Sequence, residues 1–379
     1  MKIGIVGASS SGLYTALFIK KRHPVFSVSL FDQTSKIGKK LLATGNGHCN
    51  LFHSGLSGEE YNRPDYVSSC LALAGEEELL NALLSLGVMT TKVGDLVYPL
   101  SYSAKAYVSY LEQLALKLGV RIELGKKVID YQGTDLVFEN ETRHFDSLIF
   151  ATGGASQPNL GSDGSLFDVF AKHGYNIVPL QPALCPIKTK ENTKTLSGVR
   201  HKALVRLYKN KGLIYEENGE VLFKDDGLSG IAIFNCQSMI LRNGKGDYRI
   251  ALDLFPNLSK KELSRNIEAS KSANPSSFPL AFLEKELADY ILKRASSIEG
   301  TVLAEAMKNM TFTYASSYPF SASQVTSGGI DIANIDMSFR SKIEENISFV
   351  GECLDVDGLC GGYNLAWCLL SAYLCAKSL

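Results

Sequence analysis

Residues 2–21 read KIGIVGASSSGLYTALFIKK. Ile3, Ile5 and Val6 make a short apolar run of the kind that fills a buried strand, and Leu13, Ala16, Leu17 and Lys20 recur at helical spacing with no proline before Pro24. Between them stands Gly7-Ala8-Ser9-Ser10-Ser11-Gly12, which has the spacing of the dinucleotide fingerprint G-x-G-x-x-G with Ser9 in the place of the second glycine. The next apolar run, FSVSLFD, ends at Asp32, 20 residues after Gly12 and flanked by Phe31 and Gln33. Strand, turn, helix, strand and acid therefore follow in the order of a βαβ unit whose acid meets a ribose hydroxyl. Gly7 permits the tight turn and Gly12 lets the helix approach the strand. The second glycine normally lets backbone come close to a pyrophosphate resting on the helix N-terminus. Ser9 adds a hydroxymethyl group there, which either crowds the phosphate or donates a hydrogen bond to it.

Composition bounds the rest. The chain has 379 residues, 45% hydrophobic and 21% charged, the profile of an ordinary globular protein with room for two or three domains. Lys plus Arg and Asp plus Glu balance at 39 each, so no overall field points to nucleic acid or an anionic membrane. Eight cysteines are scattered without a C-x-x-C pair, which argues for reduced thiols rather than a disulfide framework or a zinc site. The N-terminus carries no long apolar segment of a secretory signal. The oily stretch LAWCLLSAYLCAKSL, residues 365–379, is well short of the ~20 apolar residues of a membrane span, so a buried helix is expected. These features give the expectation of a cytoplasmic protein with a small-molecule substrate, no nucleic acid, no membrane and no metal; the oligomeric state is left open.

Further along, KIGKKLLATGNGHCN (36–50) is basic and glycine-rich, residues 66–87 read as one helix, and GDLVYPLSYSAKAYVSYLEQLALKLG reads as a strand, a turn at Pro99 and an amphipathic helix. An apolar strand then ends in Ala151-Thr152-Gly153-Gly154. From about Cys185 the texture changes to alternating runs separated by turn residues, as in antiparallel strands, and residues 256–310 turn helical. Near the end, ISFVGECLDVDG is a strand and turn, and Gly361-Gly362 opens a helix. The chain thus leaves its first α/β domain, builds a β then α insertion, and returns. Three glycine-bearing strand ends, near Gly7, Gly153 and Gly351, suit one long cofactor such as FAD lying across the carboxyl ends of a parallel sheet. GGYNL would set a helix N-terminus beside its ring, where negative charge is favoured.

GKKLLATGNGHCN (38–50), ATGGASQPNLGSDGSLF (151–167), VLFKDDGLSG (221–230), TSGGIDIANIDMSFRSK (326–342) and VGECLDVDGLCGGYNLAW (350–367) resemble a family of bacterial FAD-dependent oxidoreductases. That family includes proteins described as aminoacetone oxidases and flavoprotein reductases of unsaturated dehydro-bile acids. The resemblance runs from residue 3 to about residue 376. It implies an α/β fold in which a Rossmann-like FAD-binding domain (1–184 plus 326–379) carries an inserted β-barrel-like domain (185–255 plus 311–325) and a small helical subdomain (256–310). It implies the diphosphate at Gly7, Ala8, Ser9, Ser10, Ser11 and Gly12, and the adenosine ribose at Asp32 with Phe31 and Gln33 beside it. Lys39, Lys40, Leu41, Thr44 and the loop of Gly45, Asn46, Gly47, His48, Cys49 and Asn50 would wrap the phosphates and the flavin edge. Val128 would lie near adenine, Ala151, Thr152 and Gly153 beside the cofactor's middle, and Gly351 and Glu352 by the diphosphate or ribityl chain. Gly361, Gly362, Tyr363, Asn364 and Leu365 would meet the isoalloxazine. The sequence departs from the family pattern at Ser9, at Asn46, where glycine is usual, and at His48, where arginine is frequent.

The expected chemistry is flavin hydride transfer, with NAD(P)H as a transient donor reducing FAD and FAD reducing a small unsaturated or carbonyl substrate. No second G-x-G-x-x-G marks a dedicated nicotinamide domain. An amine or aminoketone oxidase using oxygen, a catalytically silent flavin-binding protein and a plain nicotinamide dehydrogenase are the alternatives. His48, whose ordinary pKa suits proton transfer, and Tyr98 are the candidate proton donors, each weighed against a purely packing or phosphate-pairing role. Cys49 reads as a structural thiol, with redox activity as the alternative. Asp355 and Asp357 read as local turn hydrogen-bonders.

Overall fold

A computed structural model describes residues 1–379 apart from Asn46. The chain divides into two compact units, Met1–Pro182 with Gln324–Leu379, and Ala183–Ser323.

The first unit is built on a parallel five-stranded sheet. Its order is Ile347–Phe349, Ser147–Phe150, Lys2–Val6, Ser27–Asp32 and Arg121–Leu124. Both faces are covered, so the strands read as continuous apolar runs: Ile3, Ile5, Leu30, Ile149, Phe150 and Phe349 are all fully buried. The chain leaves the central strand, Lys2–Val6, to one side for Ser27–Asp32 and later returns on its other side at Ser147–Phe150. Val6 is level with Phe31 and Phe150, and Phe150 with Phe349, so four strand ends open onto one rim. That rim is the switch point where open α/β sheets bind ligands.

Two helices back the rim. The first, Ser10–Arg22, follows the central strand after the three residues Gly7 to Ser9 and carries Lys20, Lys21 and Arg22 in its last turn, where positive charge suits the helix dipole. The last, Tyr363–Lys377, buries residues almost all round, as the oily sequence expected, and packs on the first through the Phe18 and Tyr373 rings, 5.3 Å apart. No described helix is long and apolar enough to cross a membrane. The stretch expected as one helix at 66–87 is two, Pro64–Leu73 and Glu76–Ser85, because Ala74 is extended and Gly75 caps the second. An antiparallel sheet of Phe52–His53, Leu96–Pro99 and Thr90–Val93 and another of Val128–Gln132, Asp135–Phe138 and Thr142–His144 complete the unit, with a two-stranded ribbon at its exit and re-entry.

The second unit is a closed antiparallel barrel. Its strands run in the order Ile187–Thr189, Gly227–Ser229, Gly212–Lys224, Arg200–Lys209, Tyr248–Asp253 and Met310–Ser317, the last pairing back to the first. Val205, Leu207, Val221, Phe223, Ile250 and Phe312 fill it. Three helices, Lys260–Ala273, Lys285–Arg294 and Gly300–Lys308, interrupt the barrel between its last two strands, the first opened by a Ser259–Glu262 capping box.

Candidate functional site

At the rim, backbone meets backbone too closely for side chains. A β-carbon on Gly7 (φ +108°) would lie 2.2 Å from the Ala151 carbonyl, and one on Gly12 would lie 1.8 Å from the Gly7 carbonyl. Glycine is therefore obligatory at both, and the three segments form one joint. Ser9 is extended and caps the first helix without spending its hydroxyl on the cap. The helix's opening N–H groups have no intrahelical partners, which leaves donors and a dipole end for an anion.

Asp32 is held beside this turn. Its Oδ2 accepts from the Ala8 amide at 2.7 Å, and its Oδ1 accepts from the Thr34 amide and hydroxyl, each at 2.7 Å. A pocket opens next to it, lined by Gln33, Val128, Thr152, Gly153, Lys127 and Asp163. Gln33 donates to the Gly161 carbonyl at 2.8 Å across its mouth. Phe31 also lines this pocket, with its ring packed on Phe138 at 5.1 Å.

On the opposite side of the turn the glycine-rich loop begins. Lys39 reaches the Asn159 carbonyl at 2.6 Å, Lys40 pairs with Glu352 at 2.7 Å, and Leu41 is buried. Glu352 Oε1 also accepts from the Thr326 amide at 2.9 Å, and the Thr326 hydroxyl in turn accepts from the Ala155 and Ser156 amides. Gly351 (φ +78°) sits against the turn, since a β-carbon there would lie 1.9 Å from Ser11 Oγ. Cys368, on the last helix, faces Ser11, Ser10, Glu352 and Lys40, and burial pushes its thiol up to about 11.

Beyond it, Thr44 donates to the Leu41 carbonyl and Gly45, Gly47 and Cys49 all take positive φ. Asn46 lies outside the described residues. Burial pushes the Cys49 thiol up to about 12, against a lowering contribution from Thr44. Asn50 touches the start of the last helix: its Nδ2 lies 2.9 Å from where a Gly362 β-carbon would be. Gly361 and Gly362 are both left-handed, Tyr61 donates its hydroxyl to the Tyr363 carbonyl at 2.8 Å, and Asn364 bridges back to Gly358. His48 and Tyr98 are brought together around Tyr102. His48 Nδ1 pairs with the Tyr102 carbonyl at 2.9 Å and stacks on its ring at 4.2 Å, while the Tyr98 and Tyr102 rings are 4.7 Å apart. Burial raises the Tyr98 hydroxyl, with Tyr102 adding to it.

Sequence reading missed several neighbours. His53 stacks on Tyr363 at 5.1 Å, beside Gly361. Trp367 donates its indole N–H to the Gly351 carbonyl at 3.0 Å. Asp355, expected to serve a local turn, instead accepts from Asn62 at 3.0 Å and from the Arg63 guanidinium, 292 residues away in sequence. Its 2% exposure explains the difference, because a buried carboxylate needs a charged partner that a turn amide does not supply.

From the Gln33 pocket through the glycine joint to Lys40 and on to Asn50 and Gly362, these groups make an elongated cradle within one unit. It offers a ribose acceptor, helix N–H groups and a cation for a diphosphate, and a second helix N-terminus for a ring. Asn50 Oδ1 is enclosed there without a hydrogen-bond donor. That donor set fits FAD.

The model of the family described as HI0933-like protein Rossmann domain matches residues 1–378, and the chain belongs to that family of FAD-dependent oxidoreductases. It is 28% identical over 403 residues to the 3-dehydro-bile acid delta(4,6)-reductase of Clostridium scindens, all of this chain aligning with 98% of that protein. It is 26% identical over 402 residues to the ribosomal RNA dihydrouridine synthase of Haemophilus influenzae, 99% of this chain aligning with 97% of that protein. The solved 3-ketosteroid-delta4-(5alpha)-dehydrogenase of Rhodococcus jostii shares the fold at a TM-score of 0.53 and 12% identity, over 99% of this chain and 96% of that one.

Proposed function

We propose that this protein is an NAD(P)H-linked flavoenzyme that reduces a carbon–carbon double bond conjugated to a carbonyl in a small molecule. The observation that carries this reading is the full-length similarity to a delta(4,6)-reductase of 3-dehydro bile acids, together with a cradle whose donors and acceptors fit FAD. FAD, when bound, supplies hydride transfer at the ring nitrogen N5.

The chain's own groups supply the rest. Gly7 to Gly12 would hold the diphosphate by their N–H groups, with Lys40 nearby in its ion pair with Glu352. Asp32 takes the ribose hydroxyls, and Val128 and Thr152 lie along the adenosine pocket. The start of the last helix offers N–H donors to a ring carbonyl. Reduction of the conjugated bond also needs a proton delivered to the carbon next to the carbonyl. His48 and Tyr98 are the proposed sources, supported by their convergence on Tyr102.

A second reading is favoured by a specific observation. Two relatives, at 26% and 24% identity over 402 residues each, are named ribosomal RNA dihydrouridine synthases. Uridine also carries a double bond conjugated to a carbonyl, so the same chemistry serves either substrate. The unit Ala183–Ser323 bears 20 Lys and Arg against 15 Asp and Glu, so positive charge for a polyanion is concentrated there although the whole chain is neutral.

The deciding experiment reduces the purified flavoprotein anaerobically with NADH or NADPH, then adds a 4,6-dien-3-one steroid in one arm and ribosomal RNA transcribed without modification in the other. Reoxidation by the steroid alone supports the small-molecule reading, and dihydrouridine formed only in the RNA arm replaces it with the second. In a third arm, admitted to air with neither substrate, fast reoxidation with peroxide formed, while both substrates leave the reduced flavin unchanged, overturns both in favour of an oxidase.

A further inference from the structure

The excess positive charge of the barrel unit gathers on two neighbouring turns. One is the hairpin tip at residues 209–212, where the strands Arg200–Lys209 and Gly212–Lys224 meet. The other is the loop at residues 243–247, between the helix Ile231–Asn243 and the strand Tyr248–Asp253, which pairs with the hairpin's first strand. Hydrogen bonds tie the two into one platform. The Asn210 amide donates to the Asp247 carbonyl at 2.7 Å, and the Asp247 amide to Asn210 Oδ1 at 3.3 Å. Lys209 Nζ donates to the Asn243 carbonyl at 2.7 Å, and the Tyr248 hydroxyl to the Gly244 carbonyl at 2.5 Å.

Residues 208–213 and 242–249 hold five cations, Lys209, Lys211, Arg242, Lys245 and Arg249, against one carboxylate, Asp247. Lys211, Lys245 and Arg249 are exposed and make no ion pair among the described residues. The carboxylates on the adjoining strands are already engaged, Glu216 with Arg206 at 3.3 Å and Glu191 with the Thr313 amide and hydroxyl. Arg249 lies over the Tyr208 ring, 4.9 Å from its centre, so the planar cation is held in place while staying exposed. Uncompensated like charge on a braced platform suits a partner that brings a row of negative charges. Phosphates along a nucleic-acid strand do so, and binding there releases their condensed counterions. The Arg249–Tyr208 stack adds a planar surface of the kind on which unpaired bases stack. A lipid surface is the poorer match, because Leu213 is the one large apolar side chain exposed on these turns.

We infer that Lys211, Lys245 and Arg249, grouped around Tyr208, form a docking surface for the phosphate backbone of single-stranded RNA. The choice of RNA rests on the second reading above. The surface lies wholly within the unit Ala183–Ser323 and shares no residue with the cofactor cradle.

The test titrates the flavoprotein into a fluorescein-labelled single-stranded RNA of about 20 nucleotides and follows anisotropy between about 50 and 200 mM KCl. Lys211→Ala/Lys245→Ala/Arg249→Ala should bind about tenfold or more weakly than wild type. Its log–log salt slope should be shallower by about 2, the loss of three phosphate contacts at about 0.7 each. Lys105→Ala/Lys117→Ala/Lys172→Ala removes the same charge from exposed positions of the other unit and should bind like wild type. Lys211→Glu alone, at the exposed hairpin tip, should also weaken binding and protects the test if the triple variant folds poorly. Equal weakening by the two triple variants, or an unchanged slope in the first, overturns the inference, because net charge alone then accounts for binding. Wild type that ignores RNA but binds anionic phospholipid vesicles through these three residues overturns it as well. RNA held through these residues with no dihydrouridine formed supports the docking surface and brings down the second reading instead. Dihydrouridine formed equally by wild type and the first triple variant, with equal RNA affinity, does the reverse.

Discussion

Trp367 and Gly351 are joined by a single hydrogen bond, 3.0 Å from the indole nitrogen to the glycine carbonyl, that ties the last helix to the returning strand. The Gly351 amide donates in turn to Ser371 Oγ, also at 3.0 Å, so the glycine is gripped at both polar atoms by one helix. Trp367 is the only tryptophan in the chain and is 1% exposed. Trp367→Phe keeps most of the ring volume and orphans the carbonyl. It should lower the unfolding free energy by about 1–3 kcal/mol, measured by urea denaturation of the apoprotein. An unchanged midpoint would mean that the carbonyl finds another donor.

Gly351→Ala should abolish the yellow colour of the purified protein. Its β-carbon would stand 1.9 Å from Ser11 Oγ at φ +78°, so either the turn or the strand end must move. Gly119→Ala is the control. It has a similar φ of +81° but open space around it and lies outside the cradle, so it should cost only the backbone strain of about 1–2 kcal/mol and retain flavin. Flavin content of the two proteins, read from the visible spectrum, checks the contrast.

Asp32→Ala should weaken FAD binding more than it weakens the fold. The carboxylate orders the turn by accepting from Ala8 and Thr34, and water can reach those donors once it is gone. A loss of about 2–4 kcal/mol in cofactor affinity is expected from two charge-assisted bonds and a ribose contact. Equilibrium titration with FAD measures it. Equal affinity for wild type and variant would remove Asp32 from the cofactor site.

Arg63→Ala should leave Asp355 charged and buried with Asn62 as its remaining side-chain partner. The expected cost is about 2–4 kcal/mol, since one partner of a buried charge is removed. Asp355→Asn should be milder, because the amide still pairs with Asn62 and no charge is stranded. Thermal unfolding of the two variants should rank them in that order.

Stability should fall in alkali. Burial raises the thiols of Cys49, Cys353 and Cys375 to about 12 and that of Cys368 to about 11, against an ordinary value near 8.5. The folded state therefore holds protons that the unfolded chain has released. This contribution is complete below about pH 8.5 and is lost as pH rises toward 11–12. Between pH 8 and pH 10 the apoprotein should lose at least about 2 kcal/mol. A denaturation midpoint that stays flat to pH 10 would show that the thiols ionise in place.

The glycine joint was legible because its constraint is local: Gly7, Ser9 and Gly12 must lie within six residues for the strand, turn and helix to meet. The last helix was legible for the same reason, as were the antiparallel barrel strands in their alternating texture. What escaped depends on chain segments that pair far apart. Nothing near Asp355 announces Asn62 and Arg63, and nothing near His53 announces Gly361, until the sheet carrying Phe52 and His53 docks on the last helix. The break at Ala74 and Gly75 had a local signal, but the flanking apolar spacing outweighed it.

The order in which the cradle's parts appear along the chain has a consequence for how the protein is made. Gly7 to Gly12 and Asp32 emerge from the ribosome first, whereas Gly351 and the helix that grips it follow some 320 residues later, after the whole of Ala183–Ser323. At about 5–20 residues per second, the opening βαβ unit waits on the order of tens of seconds for the strand Ile347–Phe349 that completes its sheet. During synthesis the nascent chain has an edge exposed at Ser147–Phe150 and only half a cofactor cradle. Cofactor capture thus waits for the last helix to be made, whereas the edge at Ser147–Phe150 is closed earlier and by the chain itself, when Ile347–Phe349 pairs with it.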